Sequence, residues 1–75
     1  MGKLRALSGD EIRRILIDHG FLAVRQRGSH CIVQKRTFDG TISVPIPLHD
    51  PVRRGTLLSI IRQSGLPKML FEAER

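Results

Sequence analysis

Two short turn signals cut the middle of this chain into pieces and dictate most of what it can fold into. From Phe21 to Ile46 the sequence is rich in Val, Ile and Thr, and Gly28-Ser29 and Asp39-Gly40 interrupt it. Asp-Gly is a strong hairpin signal, because both central residues of a type I′ turn take positive φ. Gly-Ser suits a type II′ turn, which needs glycine first. Two hairpins in series make a three-stranded antiparallel meander. With Gly28-Ser29 as the first loop, Arg27 opposes His30 and Val24 opposes Val33. With Asp39-Gly40 as the second, Phe38 opposes Thr41 and Lys35 opposes Val44.

Alternation along each strand then sorts the side chains onto two faces. Leu22, Val24, Cys31, Val33, Ile42, Val44 and Ile46 share one, which is apolar. Arg25, Arg27, His30, Ile32, Gln34, Arg36 and Ser43 share the other, which is basic. Phe21, Ala23 and Ile32 do not follow the pattern, and a bulge at the first turn would change the assignment. Lys35 alternates onto the core side, where its long stem is expected to snorkel at the rim. Pro45 and Pro47 are expected to end the third strand, since proline cannot donate to a ladder.

Helical signals flank the meander. Ser8-Gly9-Asp10-Glu11 has the form of a capping box, with Leu7 and Ile12 spaced as a hydrophobic staple. Ile12, Ile15, Leu16 and His19 follow at i, i+3, i+4 and i+7, so a helix is expected over Gly9 to His19, stopped by Gly20. His19 falls in the core-facing stripe and reads as a packing residue at the helix end. A second helix is expected from Gly55 to Ser64, with Leu57, Ile60, Ile61 and Ser64 as its buried stripe. Pro67 to Ala73 suits a last short helix opened by proline. Both helices must bury their stripes on the one apolar sheet face. The expected fold is α+β: an α-β-β-β-α two-layer sandwich with a three-stranded antiparallel sheet and helices on one face, like a double-stranded-RNA-binding domain.

A chain of 75 residues has room for one domain, 1–75, with a small core. Its single cysteine, Cys31, excludes an intrachain disulfide and a Cys-based zinc cluster, and is expected inside the core of a cytoplasmic protein. The opening residues Met1-Gly2-Lys3-Leu4-Arg5 lack a following apolar region, so no signal peptide is expected. The strongest apolar run, Leu57 to Ile61, falls far short of the ~20 residues that span a bilayer. No membrane partner is expected. Thirteen Lys and Arg against seven Asp and Glu leave a net charge of +6, which favours a polyanionic partner. With no Trp or Tyr and three Phe, aromatic base-stacking platforms are scarce, so phosphate contacts are the expected mode.

Chemistry concentrates at Gly28-Ser29-His30. A tight turn there presents a histidine at its exit, beside Arg25 and Arg27. Histidine, with an ordinary pKa near ~6.5, can take or give a proton at cellular pH. Arg25, Arg27 and Arg36 share a sign and a face with His30, which suits phosphate contacts. Gly28 and Ser29 can offer backbone or hydroxyl to a phosphate. His49, in a loop after two prolines, is the second candidate. His19, His30 and His49 lack metal-ligand spacing, so neither a metal nor another cofactor is expected. Arg53, Arg54, Arg62 and Lys68 suit either an RNA surface or an acidic protein partner.

Several of these motifs occur together in a known order. Gly20-Phe21, Arg25-Gln26-Arg27-Gly28-Ser29-His30, Val44-Pro45, His49, Gly55-Thr56-Leu57 and Ile60-Ile61-Arg62-Gln63-Ser64-Gly65-Leu66 resemble the HicA toxin family over roughly Ser8 to Phe71. The segment between Val44 and Gly55 departs from the family, with an extra Pro47 and an Asp50-Pro51 pair. The resemblance implies a small mRNA interferase with a double-stranded-RNA-binding-domain-like fold, neutralised by a HicB antitoxin. It implies that His30, the histidine of the Gly-Ser-His motif, is catalytic. The expected function is therefore a toxin of a type II toxin–antitoxin system, cleaving mRNA by a histidine-dependent, metal-independent reaction. The alternative is a non-catalytic RNA-binding module on the same fold.

Overall fold

The computed structural model describes residues 3–73. Its first helix begins as the capping box requires: Ser8 Oγ accepts from the Glu11 amide at 3.1 Å, and Glu11 Oε1 accepts from the Ser8 amide at 2.9 Å. Helix α1 spans Gly9–Asp18 and buries Ile12 and Leu16. On its exposed side Arg13 Nη2 donates to Asp10 Oδ1 at 2.6 Å. That hydrogen bond, helped by the charge, holds the Asp10 carboxyl below its ordinary pKa. An ion pair this exposed contributes little to stability.

The helix ends one residue earlier than its periodicity suggests. His19 is its C-cap rather than a core residue. The ring is exposed and turns back along the last turn, where Nδ1 donates to the Ile15 carbonyl at 2.8 Å. Phe21, fully buried, is the next core residue along the chain after Leu16.

Strands β1 (Leu22–Arg27), β2 (His30–Thr37) and β3 (Gly40–Pro47) form one antiparallel sheet in the order β1-β2-β3. The first hairpin pairs Arg27 with His30 as expected. Gly28 has φ +59° and Ser29 does not take positive φ, as a type II′ turn demands. Beyond Arg25↔Ile32 the ladder slips by one residue, so Ala23 rather than Val24 opposes Val33. Val24 occupies this bulge, a common feature of edge strands. A one-residue slip exchanges faces. Leu22 therefore lies with Gln34 on the open face, 70% exposed, and Val24 is 46% exposed. Neither joins the core as the unbroken register predicts.

The second hairpin also differs from expectation. Its loop is Phe38-Asp39, closed by the pair Thr37↔Gly40, so Lys35 opposes Ile42 and Val33 opposes Val44. Asp39 does not take positive φ, which rules out the type I′ turn; only Gly40 does, at +140°. The partners move by two residues. Because side chains alternate with a period of two, every residue of β2 and β3 keeps its expected face.

Pro45 and Pro47 lie inside β3 rather than ending it. The Leu48 amide donates across to the Ser29 carbonyl at 2.7 Å. By alternation, the ring nitrogens of Pro45 and Pro47 then point away from β2, to an edge where no donor is needed.

Helix α2 (Arg54–Ser64) packs chiefly on β3, and α1 lies across all three strands. Leu57, Ile60 and Ile61 of α2 join Ile12, Leu16, Phe21, Cys31, Val33, Val44 and Ile46 in one core. Both helices thus cover the same sheet face, and the α-β-β-β-α sandwich is the observed fold. Ser64 is buried in the expected stripe because its polar atoms are met within the chain. Its hydroxyl donates to the Ile61 carbonyl at 2.9 Å and accepts from the Leu66 amide at 3.1 Å. After Pro67 the chain forms a 3-10 helix, Lys68–Phe71, which buries Phe71. Its end is tied to the start of the chain by Arg5 N–H to Phe71 O at 2.9 Å and Ala73 N–H to Lys3 O at 2.7 Å. Among the described residues no helix is long and apolar enough to cross a membrane.

One contact joins the two layers at the end where His30 emerges. Gly9 is buried, and its amide donates to the His49 carbonyl at 2.8 Å. A Cβ at Gly9 would overlap the Pro47 carbonyl oxygen and lie 2.8 Å from Leu48 Cα. Both neighbours are backbone and cannot step aside alone. Gly9→Ala is expected to lower unfolding free energy by about 1–3 kcal/mol or more, as overpacked sites do. Ser8→Ala, which removes only the cap, should cost about 1 kcal/mol. Urea unfolding of both variants measures the difference, and Gly9→Ala should be the worse.

Candidate active site

The Gly28-Ser29 turn is anchored through its backbone. The Leu48 bond to the Ser29 carbonyl ties it to the end of β3, and His30 pairs with Pro47. The turn therefore cannot swing free of the sheet, and the His30 side chain leaves it into solvent.

The next segment is held as firmly. His49 is pinned through its carbonyl by Gly9, and the Val52 amide donates to the Leu7 carbonyl at 2.8 Å. The Asp50-Pro51 peptide between them is cis. These bonds use main-chain atoms, so the exposed imidazole of His49 stays available.

His30 and His49 line one groove of about 550 Å³. Pro45, Pro47 and Pro51 supply apolar surface, Val52 and Ile60 its deeper lining, and Arg53 a cation. Thr56, Ser59 and Gln63 of α2 form the opposite wall. The groove runs along the β3 edge, with the exposed rings of Pro45 and Pro51 among its apolar lining and Pro47 buried beneath.

Further positive charge lies beside His30, outside the lining of the groove. Arg27 stands directly opposite His30 in the ladder, and Arg25 opposite Ile32 on the same face. Both are exposed, as are Gly28 and Ser29. Arg36 shares that face but lies six residues along β2, about 20 Å away at ~3.3 Å per residue. The structure thus brings together His30, Arg27, Arg25 and the turn, adds His49, and sets Arg36 apart. Among the described residues the only ion pair is Arg13–Asp10. Arg25, Arg27 and Arg53 are exposed and form no ion pair among the described residues, although Arg25 shares a smaller cavity with the Arg13–Asp10 pair.

Other residues fall where their types suggest. Cys31 is buried in the core. Lys35 Nζ donates to the His19 carbonyl at 3.1 Å and sits 5.7 Å from the centre of the Phe21 ring, a rim position. Among the described residues no group of three or more His, Cys, Asp or Glu converges to hold a metal ion. The helical wall was not foreseen from sequence. Thr56, Ser59 and Gln63 recur at i, i+3 and i+7, which reads as an ordinary solvated face until β3 is seen beside it.

Two imidazoles on one groove can take a proton at one point and deliver it at another. Unpaired guanidinium groups beside them attract a phosphate. This combination suits transfer chemistry at a phosphodiester.

Comparison with curated proteins finds no matching sequence. Residues 9–66 match the family described as HicA toxin of bacterial toxin-antitoxin, a span that runs from the first residue of α1 to just beyond α2. It includes the Gly-Ser-His turn, both histidines of the groove and the helical wall. The chain belongs to the HicA toxin family, the toxin component of bacterial toxin–antitoxin systems, and its family implies a cognate antitoxin as partner.

Proposed function

We propose that this toxin is an endoribonuclease that cleaves mRNA at the groove holding His30 and His49. The observation that supports this most directly is the sharing of one groove by the two histidines, beside Arg27 and Arg53. Cleavage within RNA needs no external nucleophile. The ribose 2′-oxygen attacks the adjacent phosphorus, the bond to the 5′-oxygen breaks, and a 2′,3′-cyclic phosphate and a free 5′-hydroxyl result.

Two proton transfers accompany these bond changes. His30, neutral, takes the proton from the 2′-hydroxyl as general base. His49, protonated, gives one to the leaving 5′-oxygen as general acid. Arg27, Arg25 and Arg53 hold the phosphates and offset charge on the phosphoryl oxygens. Gly28 and Ser29 hold the substrate backbone at the turn. Arg36, far along β2, is a contact for the more distant chain. Acid and base both come from imidazoles, so the reaction runs without a metal.

A toxin acting on mRNA in this way would work in the cytoplasm, where mRNA is translated. Its antitoxin is a HicB-like protein that presents acidic groups to the same arginines and closes the groove.

His30→Ala is expected to abolish RNA cleavage and growth arrest while the protein still folds and binds RNA. Full cleavage by that variant would falsify the assignment. A wild-type protein that binds RNA yet never cuts it would instead identify a binding module. The wild-type kcat/KM should trace a bell against pH, because base and acid are needed in opposite protonation states. His49→Gln should lower the rate by about 10²-fold or more and flatten the alkaline limb. An intact bell in that variant rules His49 out as the acid. Activity should persist in excess EDTA. With Arg25, Arg27 and Arg53 on phosphates, log K for single-stranded RNA should fall against log salt with a slope of about −2, shallower by ~0.7 in Arg27→Ala.

A further inference from the structure

The α2 wall differs in chemistry from the rest of the groove. Thr56, Ser59 and Gln63 are uncharged and polar, and they recur on one line of the helix. From Thr56 to Gln63 that line is about 10 Å long at ~1.5 Å per residue. Two or three successive nucleotides match it, if they keep the ~3.4 Å spacing of a stacked strand. Thr56, Ser59 and Gln63 carry no charge themselves, and the cation beside the middle of the line, Arg62, is directed at Ser59 Oγ. Hydroxyl and carboxamide groups instead present the donors and acceptors that match base edges.

Their hydrogen bonds orient them further. Gln63 Nε2 donates to Ser59 Oγ at 2.9 Å, and Arg62 Nη2 approaches the same oxygen at 3.5 Å. The Ser59 oxygen is thus used as an acceptor, which leaves its hydrogen to donate. The Gln63 carboxamide is braced through one N–H, keeping its oxygen and second N–H for a ligand. Opposite stands the exposed ring of Pro45, an apolar surface against which a base can lie, with Pro47 buried beneath the groove floor.

We propose that the Thr56–Ser59–Gln63 line is a base-reading wall that holds the unpaired nucleotides beside the scissile phosphate, with Gln63 the main determinant of sequence preference. This rests on the ribonuclease reading for its substrate, while phosphate contacts from the arginines position the chain and carry no sequence information. Gln63 touches bases, so its loss changes which sites are chosen.

The test separates binding preference from cleavage. His30→Ala protein is mixed with a single-stranded RNA pool of random sequence, and the bound fraction is sequenced. The expected result is enrichment of particular bases over a window of two or three positions. Adding Gln63→Ala should flatten that enrichment about tenfold at one or more positions. Alanine in the exposed helix interior preserves the fold. Adding Gln63→Glu, which replaces the amide donor by an acceptor, should shift the preferred base toward those that offer an amino group. Gln34→Ala, outside the groove, should leave the profile unchanged. The inference is overturned if no base is enriched, or if both Gln63 variants keep the parent profile. Cleavage of the same pool by wild-type protein is read in parallel. Failure to cut there counts against the ribonuclease reading alone, because base enrichment is measured without cleavage.

Discussion

The close approach of Gly9 to the backbone of Pro47 and Leu48 is the contact on which the site depends. It is tight because no side chain intervenes, and it brings the first amide of α1 onto the His49 carbonyl. One residue earlier in the same segment, the Leu48 amide reaches the Ser29 carbonyl. Three parts of the chain therefore meet within a few residues: the start of α1, the Gly-Ser-His turn, and the connection from β3 to α2. Every bond in this junction is made by main-chain atoms. The histidines are held by their backbones and keep their rings exposed, so folding fixes where the two imidazoles start from and leaves their side-chain torsions free.

The sheet edge beside the junction serves the same end. An unpaired strand edge invites pairing with another chain, and proline removes the donors that such pairing needs. In β3, Pro45 and Pro47 turn their ring nitrogens outward and leave the inward ladder to Val44 and Ile46. The same rings line the groove against α2. A feature that protects the fold thus also supplies the apolar surface of the site. On the other edge, the Val24 bulge and the guanidinium groups of Arg25 and Arg27 blunt β1 while placing charge near His30.

Much of this was legible in the residues, and the exceptions have specific causes. The capping box, the stripe of α2 down to buried Ser64, and the Arg27↔His30 pair follow from local rules that the tertiary structure has no reason to override. Asp39-Gly40 marks the second turn but not its pairing, because Gly40 alone takes positive φ and begins the strand. That error is even, so the faces survive it. The bulge at Val24 is an odd error and moves Leu22 across the sheet. Nothing in Leu-Ala-Val-Arg announces an extra residue. His19 matches the helical period but stands at the frayed end, where its ring finds the Ile15 carbonyl instead of the core. For the site, the His30 turn reads directly from sequence. The α2 wall does not, since Thr56, Ser59 and Gln63 gain meaning only from the edge opposite them.

Charge bears on both the stability of the toxin and what it can bind. A net charge of +6 on 75 residues, with one ion pair among the described residues, leaves the folded chain repelling itself. The cations concentrated near the groove are thus offset by whatever acidic surface comes to rest there. Under the proposed function, RNA and an acidic antitoxin would draw on this same field, and each would weaken the other even where their contacts differ. A ligand that binds only the folded form also stabilises it by mass action. For a chain with so small a core, a cognate antitoxin that binds only the folded form would then also preserve the fold, and under the proposed function the same partner would silence the site.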